Sequence, residues 1–355
     1  RNPPLPRSSL CSPSAMRCQE GASGRRFEFV PYGESWKGEG ESICADGLVK
    51  GTGLQLTHWT GNKTPQDYQE DLSTEICLRF NAMNAGKKTK YDSATVTNNH
   101  FDTDGIMSVF ALLHPEKAEE HRDLMIKAAA AGDFQEWGTD DSGVMLDLCL
   151  ERLAEEAGGD EEAYKVILPQ VEGLLEEFEE REDLWGEGMK EIEEALQRID
   201  EGTVRVERLA DEKKKFSHAG ADVGDVGVLI HPVGVPPTPG VVLSRVFPWF
   251  LKGMGKGVSR HLLCYEHEGG GFMYEYERPR YSWVSTQTRP AILKPDASLI
   301  LENLGSEWNS QGLSCLTSIC RTEKPVAGKP LEVAEMLQTL ERSLMPSLKP
   351  SVRGV

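Results

Sequence analysis

Apolar positions along this chain follow one spacing in the first 200 residues and another after it. GLQLTHW (53–59) has the composition of a strand, and TGNKTP then turns the chain. The stretch 66–83 fits two periods. Ile76, Leu78 and Phe80 alternate as in a strand, while Tyr68, Leu72 and Ile76 fit a helix. SATVTNNHFDTDG (93–105) reads as a strand that ends in a polar turn. Ile106, Val109, Phe110 and Leu113 then fall at i, i+3, i+4 and i+7, the buried stripe of a helix. Pro115 is placed to open a second helix, running to about Ala131 and ended by Gly132. Leu146, Leu150 and Leu153 predict a further amphipathic helix. So do Ile167, Val171, Leu174, Leu175 and Phe178, and then Met189, Ile192, Leu196 and Ile199.

From residue 203 the spacing becomes that of strands. VRV (204–206) and VGVLI (226–230) precede the loop PVGVPPTPG. VVLSRVF, HLLCYEH, FMYEYE and YSWVST read as strands of a mostly antiparallel sheet. Asp296 is an N-cap for a short helix to about Leu304, and Leu331 to Leu344 forms a terminal helix. The pattern predicts an α/β protein. An amino-terminal α/β domain spans 26–139, an acidic helical segment 140–215, and a carboxy-terminal α+β domain 216–355, with 1–25 as a disordered leader.

Charge changes this picture in one place. The 355 residues carry a net charge of −18, but residues 140–215 hold 25 acids against 10 bases. Most of the acidity therefore lies on helical outer faces, where it offers a surface to a basic protein partner. The rest of the chain is nearly neutral. Long nucleic acid is disfavoured as a partner, but a small phosphorylated ligand is not. No apolar run reaches 18 residues, so no membrane-spanning helix is expected. Eight cysteines without a CxxC pair read as reduced, buried thiols in an intracellular compartment. Residues 1–19 hold three arginines, four serines, four prolines and no acid, which resembles the tail of a transit peptide. The expected location is cytoplasmic or plastid.

The chemistry concentrates in NNHFDTDGIMSVFALL (98–113). His100, Asp102 and Asp104 alternate, so in extended chain they point the same way. One imidazole and two carboxylates converging on a point favour a divalent cation, and mixed His/Asp ligands suit Mn²⁺, Fe²⁺ or Zn²⁺ better than Ca²⁺. The amino terminus of the next helix would favour a phosphate at the same spot. An EF-hand is excluded, because its twelfth position would be Ala111.

HFDTDGIMSVFALL resembles the first motif of the DHH phosphoesterase superfamily, matched at His100, Asp102, Asp104, Gly105 and Ser108. That resemblance implies one or two Mn²⁺ or Mg²⁺ ions, with Asp102 and Asp104 as ligands and His100 beside them. The metals would activate a water against a phosphorus centre. The Asp-His-His triplet that names the superfamily is absent from the sequence. Over most of its length the chain also resembles an uncharacterised family of bacteria and photosynthetic eukaryotes, carried by HWTGNKTP, DLST and HFDTDG.

A metal site would need completing ligands. Asp133, just past a helix end, is the first candidate, followed by Asp71 in DLST and His121, with His58 weaker. Arg278, Arg280 and Arg289, interleaved with Trp283, are candidates for holding the phosphate. The expected function is a metal-dependent phosphoesterase-like hydrolase acting on a small phosphorylated or nucleotide substrate, with His100, Asp102 and Asp104 as its catalytic group. The alternative is a metal- or nucleotide-binding protein without catalysis.

Overall fold

The computed structural model describes residues 19–210, 224–248, 258–289, 296–309 and 318–344. The leader expected at 1–25 falls outside these as far as residue 18. The fold itself begins earlier than expected, with a short strand β1 (Gln19–Glu20) and the buried Arg25.

Four parallel strands organise the first half. They are β2 (Arg26–Phe29), β3 (Ser42–Ala45), β4 (Leu54–Leu56) and β5 (Thr95–Asn98), in the spatial order β2-β5-β3-β4, with β1 antiparallel on the outer edge. Both β3 and β5 are buried at every residue, because both sheet faces are covered. Ile43 and Ala45 enter the main core, while Cys44 between them packs on the opposite side with Val30, Trp36 and Val49.

The ambiguous stretch resolves as helix α1 (Ser73–Asn84), preceded by a 3-10 turn. Helix α2 (Thr103–Leu113) follows β5 and is buried at every residue. Each fully buried large apolar side chain there contributes about 1.5–3 kcal/mol. The helix expected over 115–131 is two helices, α3 (Pro115–Glu120) and α4 (Arg122–Phe134), broken at His121. Gly132 does not end α4. The helix continues to Gln135 in the left-handed region, and Gly132 is small because a Cβ there would meet Asp147 Oδ1 at 2.8 Å.

The acidic segment forms α5 (Ser142–Ala157), α6 (Asp160–Ile167), α7 (Val171–Glu177) and α8 (Glu182–Asp200). These helices share the main core with the parallel sheet, which runs without a break from Phe27 to Leu184. Tyr164 packs its ring 4.6 Å from Phe27. The acidic segment is thus the outer layer of the amino-terminal half.

The second sheet has the order β10-β11-β9-β8-β7-β6, from β6 (Arg205–Leu209), β7 (Asp225–His231), β8 (Val258–Glu266), β9 (Phe272–Glu277), β10 (Trp308–Asn309) and β11 (Ser318–Thr322). Only β7 and β8 pair in parallel. VVLSRVF is not a strand but helix α9 (Gly240–Val246), opened by Pro239. Its Leu243 and Phe247, four residues apart, enter one core and Val242 another, so packing overrides the strand propensity of valine. YSWVST is likewise no strand. It forms a 3-10 turn (Arg280–Trp283) and an extended strap joined to the first half by a bridge between Val284 and Trp59. Asp296 caps α10 (Ala297–Leu301) as expected, and α11 (Pro330–Leu344) closes the chain. Leu72, Ala129 and Phe134 of the first half share a core with Leu229, Leu243 and Tyr281 of the second, so the two halves are packed together. Among the described residues no helix is long and apolar enough to cross a membrane.

Candidate metal centre

Three neighbouring parallel strands end at one edge of the sheet, and each delivers an ionisable side chain there. Asp46 follows β3, His58 follows β4, and His100 and Asp102 follow β5. Asp104 stands on the first turn of α2 and Asp133 on the last turn of α4. The carboxyl edge of a parallel sheet is where α/β folds gather functional groups.

Six side chains converge as a result, in two groups that share Asp46. In the first, His100 Nε2 lies 3.1 Å from Asp46 Oδ2 and 2.9 Å from Asp102 Oδ2. In the second, His58 Nε2 lies 3.6 Å from Asp46 Oδ1, 3.7 Å from Asp104 Oδ2 and 3.1 Å from Asp133 Oδ2. Within each of the triads Asp46/His100/Asp102 and Asp46/His58/Asp104 the donor atoms are close enough together to surround a single ion. Asp46 presents a different oxygen to each histidine. Its backbone is left-handed, with φ of 47°, an unfavourable conformation for a residue with a side chain.

Hydrogen bonds fix both imidazoles. The Nδ1–H of His58 donates to the Asp71 carbonyl at 2.8 Å, because a carbonyl can only accept. That turns Nε2 toward three carboxylates. Similarly, His100 Nδ1 donates to the Asn99 amide oxygen at 3.1 Å. Histidines held this way on one nitrogen are typical of metal ligands. His58 Nε2 and Asp46 Oδ2 are buried atoms aimed into the cluster that complete no well-formed hydrogen bond, although Asp133 Oδ2 and His100 Nε2 each lie 3.1 Å away. Asp104 accepts from the backbone N–H of Ser73 at 2.8 Å and of Thr74 at 2.7 Å, and so anchors the start of α1. Asp102 caps α2 by accepting from Gly105 N at 2.7 Å. Gly105 is small because a Cβ would meet Asn98 Nδ2 at 2.7 Å and the Tyr164 hydroxyl at 2.9 Å.

The electrostatics reflect four carboxylates against two imidazoles. Burial and the negative charge of Asp46 and Asp133 push Asp104 well above the usual carboxylate range. Burial, with Asp102 adding to it, raises Asp133 to about 6. For His58 burial works against the charged form, but the adjacent Asp133 carboxylate and the other carboxylates around it overcome this and raise the imidazole to about 10. His100 rises well above its ordinary value for the same kind of reason, with Asp102 as the main partner. A site this short of positive charge holds protons where it could hold a cation.

The cluster is closed on the His58 side and open on the other, where Asp102 is 37% and His100 18% exposed. From Asp102 a cavity of about 320 Å³ runs past Thr103 and Gly132 to Asp147 and Glu151. A second, of about 250 Å³, shares Gly132, Asp147 and Glu151 and reaches Gly240 and Arg280.

Of the residues expected from sequence, the structure brings together His100, Asp102, Asp104, Asp133 and the weaker candidate His58. Asp71 and His121 belong to neither group. The Asp71 side chain binds Thr288 and Arg289 instead, and His121 sits at the break between α3 and α4. Arg278 is paired with Glu341 and Arg289 with Asp71 and Glu136, so neither faces the cluster, while Arg280 lines the second cavity. Sequence reasoning missed Asp46, the residue common to both groups. Its signal was SICADG, a buried strand ending in Asp-Gly, which echoes the HFDTDG turn.

The chain belongs to the family of unknown function DUF6687, which matches residues 25–346. No curated protein and no solved structure matches it.

Proposed function

We propose that this protein is a divalent-metal-dependent hydrolase of small phosphoesters, related in its first motif to the DHH phosphoesterases. The carrying observation is the pair of buried atoms without a well-formed hydrogen bond, His58 Nε2 and Asp46 Oδ2, facing a surplus of carboxylates. The residues suit Mn²⁺ or Mg²⁺, with Asp46 offering one oxygen to each of two ion positions. His100 and Asp102 would hold the outer ion, and His58, Asp104 and Asp133 the inner one. When bound, such ions polarise a phosphoryl oxygen and supply hydroxide at neutral pH. The open rim at Asp102 is the side from which a substrate would enter. Gly132, lacking a side chain, keeps the passage to Asp147 and Glu151 clear. Asn98 and Tyr164, joined at 2.8 Å behind Gly105, hold the β5–α2 turn against the pull of a cation.

A non-catalytic metal-binding role is the second reading. It is favoured by Asp104, whose two oxygens already accept backbone N–H groups and have less to offer an ion. One experiment separates the two. Metal content is measured by mass spectrometry after Mn²⁺ loading, for wild type and Asp46→Asn, alongside hydrolysis of phosphomonoesters and phosphodiesters. Two ions per chain with hydrolysis, both lost in Asp46→Asn, are expected. Bound metal without hydrolysis of any ester would leave the binding role, and wild type without bound metal would end both readings.

A further inference from the structure

Building on the metal reading, we infer that the strap 280–289 is the positioning element of the inner ion site, so that metal binding there and docking of the carboxy-terminal half are coupled. The two ion positions are supported very differently. His100 and Asp102 make their hydrogen bonds to Asn99 and Gly105, within a few residues of themselves, and His100 meets the strap only through the intervening Trp59 ring at 4.9 Å. His58, besides its bonds to Asp71 and Ser73, is contacted directly from more than 200 residues away. Ser285 N donates to the His58 carbonyl at 2.8 Å, and the Trp283 ring packs edge-on at 5.6 Å from the imidazole. Thr60 Oγ1 ties the Trp283 carbonyl down at 2.5 Å.

Asp71 connects the strap to the ligand atom itself. Its carbonyl accepts the His58 Nδ1–H that fixes which nitrogen faces the cluster. Its carboxylate accepts from Gln287 N, from Thr288 N at 2.9 Å and Thr288 Oγ1, and from Arg289 Nη1 at 2.7 Å. Arg289 also grips the end of α4, the helix that carries Asp133. Its guanidinium pairs with Glu136 at 2.8 and 2.6 Å and lies 4.4 Å over the Phe134 ring, next to Asp133. Asp71 and Arg289 are therefore positioning residues. They orient His58 and Asp133 without touching an ion. Loss of such outer support typically weakens metal binding by about 10–100-fold. Linkage makes the effect reciprocal, so an ion at the inner position must tighten the strap by the same factor.

The test is hydrogen exchange of the full chain with and without Mn²⁺, read on the amides of Ser285, Gln287 and Thr288, together with Mn²⁺ titration of wild type and Arg289→Gln. In wild type, Mn²⁺ is expected to slow strap exchange roughly ten-fold. In Arg289→Gln the tighter-supported site should weaken by about ten-fold or more, with Arg289→Lys recovering part of the loss. Strap exchange unchanged by saturating Mn²⁺ overturns the coupling, whatever the variants do, and leaves the metal reading standing. Wild type that takes up no Mn²⁺ removes both. If Arg289→Gln does not fold, exchange in wild type decides alone.

Discussion

Each half of this molecule buries a cluster of charge, and the two clusters are built on opposite principles. In the carboxy-terminal half a single carboxylate, Glu341, is surrounded by donors. Arg260 binds it twice, at 2.8 and 2.7 Å, Tyr276 donates at 3.1 Å, and Arg278 approaches to 3.5 Å. In the amino-terminal half four carboxylates face two imidazoles, and Asp46 Oδ2 and His58 Nε2 complete no well-formed hydrogen bond. In the first arrangement both carboxylate oxygens are bonded by donors, which fixes α11 on the sheet. The second is complete only with protons or a cation added. Burial alone therefore does not mark a functional site; an uncompensated sign of charge does.

This contrast fixes what substitutions should do, beginning with the largest effect. Glu341→Ala takes from the buried Arg260 guanidinium the carboxylate that it binds twice and should cost about 3–5 kcal/mol in urea unfolding. Metal affinity in that variant should be unchanged. A parallel loss of Mn²⁺ binding would mean that the two clusters are not independent. Next, Mn²⁺ at a hundred times its dissociation constant should stabilise the wild-type fold by about 2.7 kcal/mol in a thermal or urea titration. The shift should vanish in Asp46→Asn, where the amide keeps an acceptor for Ser73 Oγ and tolerates the left-handed backbone. A Mn²⁺ shift that survives in that variant would place the ion elsewhere. Gly105→Ala should cost about 2 kcal/mol, since its Cβ would push Asn98 and Tyr164 apart, and it should weaken the outer position with them.

His100, Asp102 and Asp104 were legible in the sequence because they lie within five positions of each other on a strand-end turn. Their grouping was not, because Asp104 sides with His58 and Asp46 rather than with His100, and the elements that carry Asp46, His58 and Asp133 meet at one edge only through the parallel strand order. Asp46 carries no local sign beyond an Asp-Gly after four buried residues. Asp71 looked like a ligand for the opposite reason. DLST is polar and turn-like, but the partners that occupy its carboxylate lie near residue 288, far outside any window of periodicity. Arg278 and Arg289 are likewise paired with acids remote in sequence, while Arg280 lines the second cavity. The α/β class and most of the strands and helices followed from apolar spacing alone, which depends only on neighbours. VVLSRVF shows the limit of that rule, where contacts with two cores decide.

The smallest effect separates the clusters by its sign. Asp133→Asn removes a carboxylate whose folded pKa of about 6 lies above the ordinary 3.8, raised chiefly by burial and by Asp102. An acid with a raised folded pKa destabilises the fold when ionised. The cost is full above pH 6, shrinks as the pH falls, and is gone below the unfolded value near 3.8. Asp133→Asn should therefore make the metal-free protein more stable at pH 7.5, by about 1 kcal/mol once the weakened contact with His58 is set against the roughly 3 kcal/mol of the full shift, with no gain below pH 4. In saturating Mn²⁺ the order should reverse, because wild type alone keeps the full inner ligand set. Urea unfolding of both proteins at the two pH values, with and without Mn²⁺, reads all of this. Neutralising Glu341 can only harm the fold. If neutralising Asp133 harms the metal-free fold equally, its charge is already compensated within the protein, and the need for a cation disappears.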